Sequence, residues 1–376
     1  MLPPDPAPPL TLESAPVPLP DAASLQVALP LPLPQWFDYA APPPGEPPHA
    51  GMVGRRVRVP FGSRELVGIV AGIGTVADGN TLRAALAWLD EAPLLGGELW
   101  RSLQWLARYT HAPLGEVVST ALPGPLRRGD PVADTHRWGW QLTAAGSDQR
   151  ERLRAGTRPQ RFAGLLADGA VDEDRLDDAM EDWRGAARAL AKRGLVERIA
   201  LEHSAAVPGI RPGPTPNPEQ SAAIAAITAT PAFGAFLLDG VTGSGKTEVY
   251  LQAIVACLAR GKQALVLVPE IGLTPQTLAR FRTRLGIPVH VLHSGLNDNE
   301  RARVWAAAAR GEAQVIVGTR SAVFTPLPNA GLIVIDEEHD GSYKQQDGIR
   351  YHARDFALVR AKALGVPVVL GSATPS

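Results

Sequence analysis

With Cys257 its only cysteine, the sequence has nothing to pair into a disulfide and no thiolate set to ligate zinc. A reducing, cytoplasmic setting is expected. Lysine is scarce as well, confined to Lys192, Lys246, Lys262, Lys344 and Lys362, so arginine carries most of the basic charge. Thirty-seven basic residues stand against 38 acidic ones, a net charge of -1. That balance excludes a global positive field and leaves only local patches to meet a nucleic acid. No run approaches the roughly 18 apolar residues of a membrane span, and the N-terminus lacks the basic start and compact apolar core of a signal peptide. There is no internal repeat.

What is present divides the 376 residues into more than one domain. Residues 1–24 are rich in proline and poor in large apolar groups, a disordered leader. Residues 25–128 carry short extended runs, Leu25 to Leu33, Arg55 to Val59 and Leu66 to Val70, broken by Pro and Gly: a small β-rich domain. Arg56 to Val59 alternates strictly, and Gly62-Ser63-Arg64-Glu65 reads as a hairpin turn. A helix around Trp100 to Tyr109 is expected to close the core of that domain. Over 129–206 the chain turns helical, and Ala186 to Lys192 followed by Gly194 and Leu195-Val196 reads as a helix stopped by glycine and turned into a strand, as in a winged helix. The acids from Asp172 to Asp182 repel a phosphate backbone, which favours a spacer or protein-docking role there over groove reading. A Pro- and Gly-rich linker fills 207–216. From 217 to 376 apolar strands alternate with amphipathic helices, an α/β fold with a parallel sheet and right-handed crossovers.

Gly240-Val241-Thr242-Gly243-Ser244-Gly245-Lys246-Thr247 lies between the strand Ala235 to Leu238 and the helix Thr247 to Ala259. Such a loop closes its backbone N–H groups around phosphate oxygens, with the positive helix end aimed at them. Lys246 reaches the terminal phosphates, and Thr247 is placed to ligate Mg²⁺. A second constellation follows the buried strand Leu332 to Ile335: Asp336 suits Mg²⁺ through water, and Glu337 suits orienting and deprotonating an attacking water. Alone, an acidic turn after a strand is an exposed loop. In one sheet with a phosphate loop it completes a nucleotide site.

The strings GVTGSGKTEVY (240–250), VPEIGLTPQ (268–276), HSGLNDNER (293–301), GTRS (318–321), DEEHDGSYKQQ (336–346), RYHARD (350–355) and GSATP (371–375) resemble superfamily 2 helicases. Within these they resemble the replication-restart family of primosomal protein N′, PriA. The resemblance implies a RecA-like motor lobe using ATP and Mg²⁺. It implies an adenine-side role for Gln220, where helix capping by Asn217-Pro218-Glu219-Gln220 is the competing reading. It implies strand-tracking loops at Pro269 to Gln276, including Thr274, and at Arg320, where a solvated face is the alternative. Ser372-Ala373-Thr374, with His339, would couple hydrolysis to lobe movement. An aromatic-rich loop over 340–355 would stack Tyr343 and Tyr351 on single-stranded bases and contact phosphate through Lys344, Arg350 and His352; Ile349 stands where the family commonly has a ring.

The N-terminal half resembles the same family at Ala28-Leu29-Pro30, Phe37-Asp38-Tyr39 and Arg56 to Gly62. There Phe37, Asp38, Gly62 and Arg83 would form a pocket for the 3′ end of a leading strand at a stalled fork. A core aromatic followed by a turn aspartate is the plainer reading. Further implied are branched and single-stranded DNA as partners, together with single-strand DNA-binding protein and primosome or helicase-loader proteins, for a monomer acting at forks on the bacterial nucleoid. The family continues past its third motif with a second lobe, a zinc-binding insertion and a C-terminal domain. From that the chain is expected to be an N-terminal portion, with zinc bound only beyond it, that binds nucleotide and hydrolyses it poorly. The alternatives are another superfamily 2 translocase, or a fork-binding module without ATPase activity.

Overall fold

In the computed structural model the described residues are 23–75, 82–135, 137–201, 209–241 and 243–375, so most of the expected leader, and Thr242 of the phosphate loop, lie outside them. The first strand, β1 (Ala23–Ala28), starts two residues inside the stretch read as leader. With β2 (Phe37–Tyr39), β3 (Arg56–Phe61), β4 (Arg64–Thr75) and β5 (Ala87–Trp88) it forms an antiparallel sheet in the order β2-β1-β4-β3-β5. The β3–β4 hairpin turns at Gly62-Ser63, where Gly62 takes φ 59°, a conformation open to glycine. Val57 and Val59 face a small core with Leu25, Val27, Tyr39 and Met52. The strict alternation puts Arg56 on the other face, yet it is fully buried. Its guanidinium forks onto Asp90, with Nη2 2.8 Å from Oδ1, and Nη1 donates to the carbonyls of Leu126 and Asp130.

Three helices follow, α1 (Gly97–Thr110), α2 (Leu114–Ala121) and α3 (Gly124–Arg128). The helix expected to close the sheet's core shares a core with Ala28, Ile69 and Ala71 of that sheet, and that core extends well beyond it. Leu99, Leu103 and Leu106 of α1 join a second, larger core that runs through Leu265, Ile333 and Phe356 of the C-terminal sheet and helices. An amphipathic helix buries its stripe against the largest apolar partner available, and here that partner comes from far downstream in the chain. The described residues before 133 and those of the C-terminal sheet therefore belong to one compact unit.

A second unit, Ala133–Gly209 with Gly286–Pro288, has its own core. It contains β6 (Arg137–Leu142), α4 (Ala144–Gln149), α5 (Arg158–Leu165), β7 (Val171–Asp172), α6 (Glu173–Ala179), α7 (Trp183–Ala191) and β8 (Val196–Leu201). Its three strands pair antiparallel in the order β7-β6-β8, and the helices pack around Trp183, whose ring stacks on Phe162 at 5.9 Å. Gly194, at φ 68°, stops the helical stretch and turns it into β8. A helix stopped by glycine and turned into a strand is the local feature expected there.

The remaining elements are α8 (Pro218–Thr228), β9 (Gly234–Asp239), α9 (Lys246–Ala259), β10 (Gln263–Leu267), α10 (Pro275–Leu285), β11 (Val289–Leu292), α11 (Asp298–Ala309), β12 (Val315–Gly318), β13 (Ala330–Ile335), α12 (Ala353–Leu364) and β14 (Pro367–Ser372). The six strands form an all-parallel sheet in the order β11-β12-β10-β13-β14-β9. Strands buried on both faces require this arrangement: every residue of β10 and β12 is buried. Asn217 with Gln220 and Asn297 with Glu300 form capping boxes that fix the starts of α8 and α11. The RecA-like lobe expected from the sequence is the fold observed. Of the expected linker, the described part carries no regular structure but docks, with the Arg211 N–H donating to the Arg284 carbonyl at 3.0 Å.

Candidate functional site

The parallel sheet delivers its loops to one carboxyl edge, and the phosphate loop leaves β9 there. Gly243 and Gly245 sit at φ 84° and 88°. The positive φ of Gly245 favours glycine, and a Cβ there would also push aside the carboxamide nitrogen of Gln220. Gln220 serves the helix cap, its Oε1 accepting from the Asn217 N–H at 3.0 Å, and its Nε2 also donates to the Ser244 carbonyl of the phosphate loop at 2.9 Å. Lys246 is buried at the first turn of α9; its Nζ donates to the Gly240 carbonyl at 2.6 Å and lies 3.7 Å from Glu337 Oε1. Thr247 follows it, half-buried, in the same turn.

Asp336 caps β13 in the middle of the sheet, its N–H donating to the Leu267 carbonyl at 2.9 Å. Glu337 adopts φ 45°, unusual for a residue with a side chain. Burial pushes the Asp336 carboxyl above the ordinary carboxylate range, against the pull of a hydrogen bond donated by Tyr250 Oη to Oδ1 at 3.0 Å. Tyr343 Oη donates to the Asp336 carbonyl at 2.7 Å. Burial, reinforced by the negative charge of Asp336, drives both phenols far above the usual tyrosine range, so each remains a donor. Beyond the acidic pair, His339 Nδ1 shares a 2.6 Å hydrogen bond with Ser372 Oγ, which also accepts from the Thr374 N–H. Glu338 is buried and paired with Arg354 at 2.7 Å.

The loop over 340–355 corrects part of the sequence reading. Tyr343 and Tyr351 were expected to offer ring faces to bases, but they are 0% and 2% exposed. Tyr351 packs edge-on against Phe324 at 4.9 Å, and Ile349 is buried in the same core. A ring enclosed on both faces cannot stack on a base. Lys344 donates to the Arg350 carbonyl at 3.0 Å, and Arg350 itself is exposed. Arg320 is not on a solvated face: its Nη1 holds the carbonyls of Ser342 and Lys344, both at 3.0 Å, and so fixes the loop that carries Tyr343. Thr274 is exposed and starts α10 by accepting from the Thr277 N–H. Tyr250 escaped the sequence reading. The available signal was its spacing, four residues after Lys246 and hence on the same helix face.

A second candidate site lies on the antiparallel sheet. Phe37, Asp38, Gly62 and Arg83 line one open cleft of about 300 Å³. Phe37 meets Phe61 edge to face at 5.2 Å, and Asp38 Oδ1 accepts from Ser24 Oγ at 2.6 Å. Asp38 and Arg83 are exposed.

Comparison with known proteins follows the same division. Residues 26–123 match the family model of the PriA 3′DNA-binding domain, and residues 217–376 match that of DEAD/DEAH box helicases. The replication restart protein PriA of Haemophilus influenzae is 42% identical over 366 residues, 94% of this chain and 49% of that protein. That of Bacillus subtilis is 57% identical over 141 residues, 38% of this chain and 18% of that one. The chain thus spans about half the length, or less, of these relatives. Among solved structures, the Hef helicase domain of Pyrococcus furiosus is 26% identical over 43% of this chain and 33% of its own, with a TM-score of 0.32. Among the described residues no helix is long and apolar enough to cross a membrane.

Proposed function

The chain belongs to the PriA family of replication-restart proteins, and on that premise we propose that it carries the nucleotide site and the strand-end site of an ATP-dependent 3′ to 5′ DNA helicase that reloads replication at stalled forks. One observation supports the nucleotide site above all: the sheet brings Lys246, Asp336 and Glu337 from 90 residues apart to one edge, with Lys246 Nζ 3.7 Å from Glu337. Mg²⁺ is held in such sites by one or two protein oxygens, the rest of its shell being water and phosphate. The oxygens of Thr247 and Asp336 fit that requirement. When bound with the nucleotide, Mg²⁺ would neutralise charge between the β- and γ-phosphates. Lys246 exchanges the Gly240 carbonyl for a phosphate oxygen, the loop's N–H groups and the positive end of α9 hold the phosphates, Gln220 faces the adenine side, and Glu337 orients water.

In the cleft, Phe37 offers an aromatic face and Asp38 an acceptor for a terminal hydroxyl or base donor, with Gly62 leaving room and Arg83 adding positive charge. Thr274, Lys344 and Arg350 remain candidates for phosphate contact along the strand. Single-strand DNA-binding protein and loader proteins are the proposed partners.

The nucleotide reading is tested by titrating a fluorescent ATP analogue into the chain and its Lys246→Ala variant, which should lose at least about tenfold in affinity. Unchanged binding would leave a fork-binding module instead. The strand-end reading predicts a preference for forks with a free 3′ hydroxyl that Asp38→Ala weakens. Equal affinity for a 3′-blocked fork would overturn it.

A further inference from the structure

We infer that Tyr250 is a positioning residue for the metal-holding carboxylate: its hydroxyl fixes one oxygen of Asp336 so that the other is presented to the ion. The inference rests on the nucleotide reading of the site and adds to it a residue outside the phosphate loop and the acidic pair.

Three observations place Tyr250 in this role. Its Oη donates to Asp336 Oδ1 at 3.0 Å, while the backbone of the same residue is held from the other side by Tyr343 Oη. The ring is 2% exposed, so no water competes freely for the hydroxyl. A place is also kept for it on the neighbouring strand. A Cβ at Gly371 of β14 would fall onto the Tyr250 hydroxyl, and Gly371 is not at a positive φ that would itself require glycine. The missing side chain is therefore accounted for by the phenol.

The consequence is geometric. A carboxylate at the end of a strand can rotate about its side-chain bonds; with one oxygen tied to a buried donor, its rotamer is set before any ion arrives. The donor rides on α9, the helix that also carries Lys246 and Thr247, and it touches β14 one residue before Ser372, the partner of His339. A shift of α9 or β14 would thus be felt at the Asp336 carboxylate through a single hydroxyl, without any contact to the nucleotide.

The test uses the full chain and Tyr250→Phe, which keeps the ring and removes only the hydroxyl. A fluorescent ADP is bound first in EDTA and then across a Mg²⁺ titration, with thermal melting of the nucleotide-free proteins as the control for folding. Tyr250→Phe should bind metal-free ADP within about twofold of the parent, yet need about tenfold more Mg²⁺ for the half-maximal gain in affinity. In an Asp336→Asn background, Tyr250→Phe should add no further change. An unchanged Mg²⁺ midpoint in Tyr250→Phe, or an equal loss of affinity with and without Mg²⁺, would overturn the inference while leaving the nucleotide site intact. A parent chain that fails to bind ADP, or binds it without response to Mg²⁺, would overturn both.

Discussion

Replacing Arg360 by Met should cost this protein far more than an ordinary arginine loss. Arg360 lies on α12 with its side chain fully buried. Its Nε and Nη2 fork onto the two carboxylate oxygens of Glu98 on α1 at 2.9 and 2.8 Å, and Nη1 serves the carbonyls of Val323 and Thr325, both at 2.7 Å. Methionine fills most of the volume but strands a carboxylate that is only 10% exposed, together with two buried carbonyls. Breaking one side of a buried ion pair costs about 3–5 kcal/mol, because the remaining charge loses its compensation. At about 2–4 °C per kcal/mol for a large domain, the melting temperature should fall by about 10 °C. Arg360→Lys keeps the charge and loses the fork, and should lie between the two. The double variant Glu98→Leu, Arg360→Met removes the stranded carboxylate and should recover about half the loss, since the carbonyls still lack donors. Urea unfolding followed by far-ultraviolet circular dichroism measures all four proteins. A cost below about 1 kcal/mol for Arg360→Met would refute the claim that this pair locks α1 onto the parallel-sheet lobe.

Gly115 in α2 should not tolerate a side chain. A Cβ there would strike the backbone of Leu29, so Gly115→Ala is expected to destabilise by about 1–3 kcal/mol in the same denaturation assay, and neutrality would show that α2 can retreat from Leu29 at no cost. The Cys257 thiol is pushed up to about 12 by burial. At pH 8 its reaction with a disulfide reagent should be at least about a hundredfold slower in the native protein than in urea, and equal rates would mean that α9 opens readily.

The motor lobe was legible in the sequence because its signals are local. The strands expected at Ala235 to Leu238 and Leu332 to Ile335 and the helix expected at Thr247 to Ala259 are found within a few residues, since apolar runs, capping boxes and stopping glycines act over a handful of positions. Association over long distance was not legible. Nothing in Leu99, Leu103 and Leu106 tells which apolar surface will cover them, and nothing in the alternation of Arg56 with Val57 tells that both faces of β3 will be closed. Tyr343 and Tyr351 were misjudged for the same reason: a ring in a Gly- and Ser-containing loop looks exposed until the loop is drawn inward, here by Arg320 holding two of its carbonyls. The cleft on the antiparallel sheet lies between these cases. Four of its eight lining residues were named from a resemblance, and their convergence depends on strand pairing that no short string specifies.

Gln220 spends one lone pair on the cap of α8 and one hydrogen on the phosphate loop. A carboxamide has two of each. Among the described residues, one N–H and one lone pair on that planar group have no further partner. A hydrogen-bonding ligand arriving there would need no existing bond to break, and on leaving would disturb neither the helix start nor the loop.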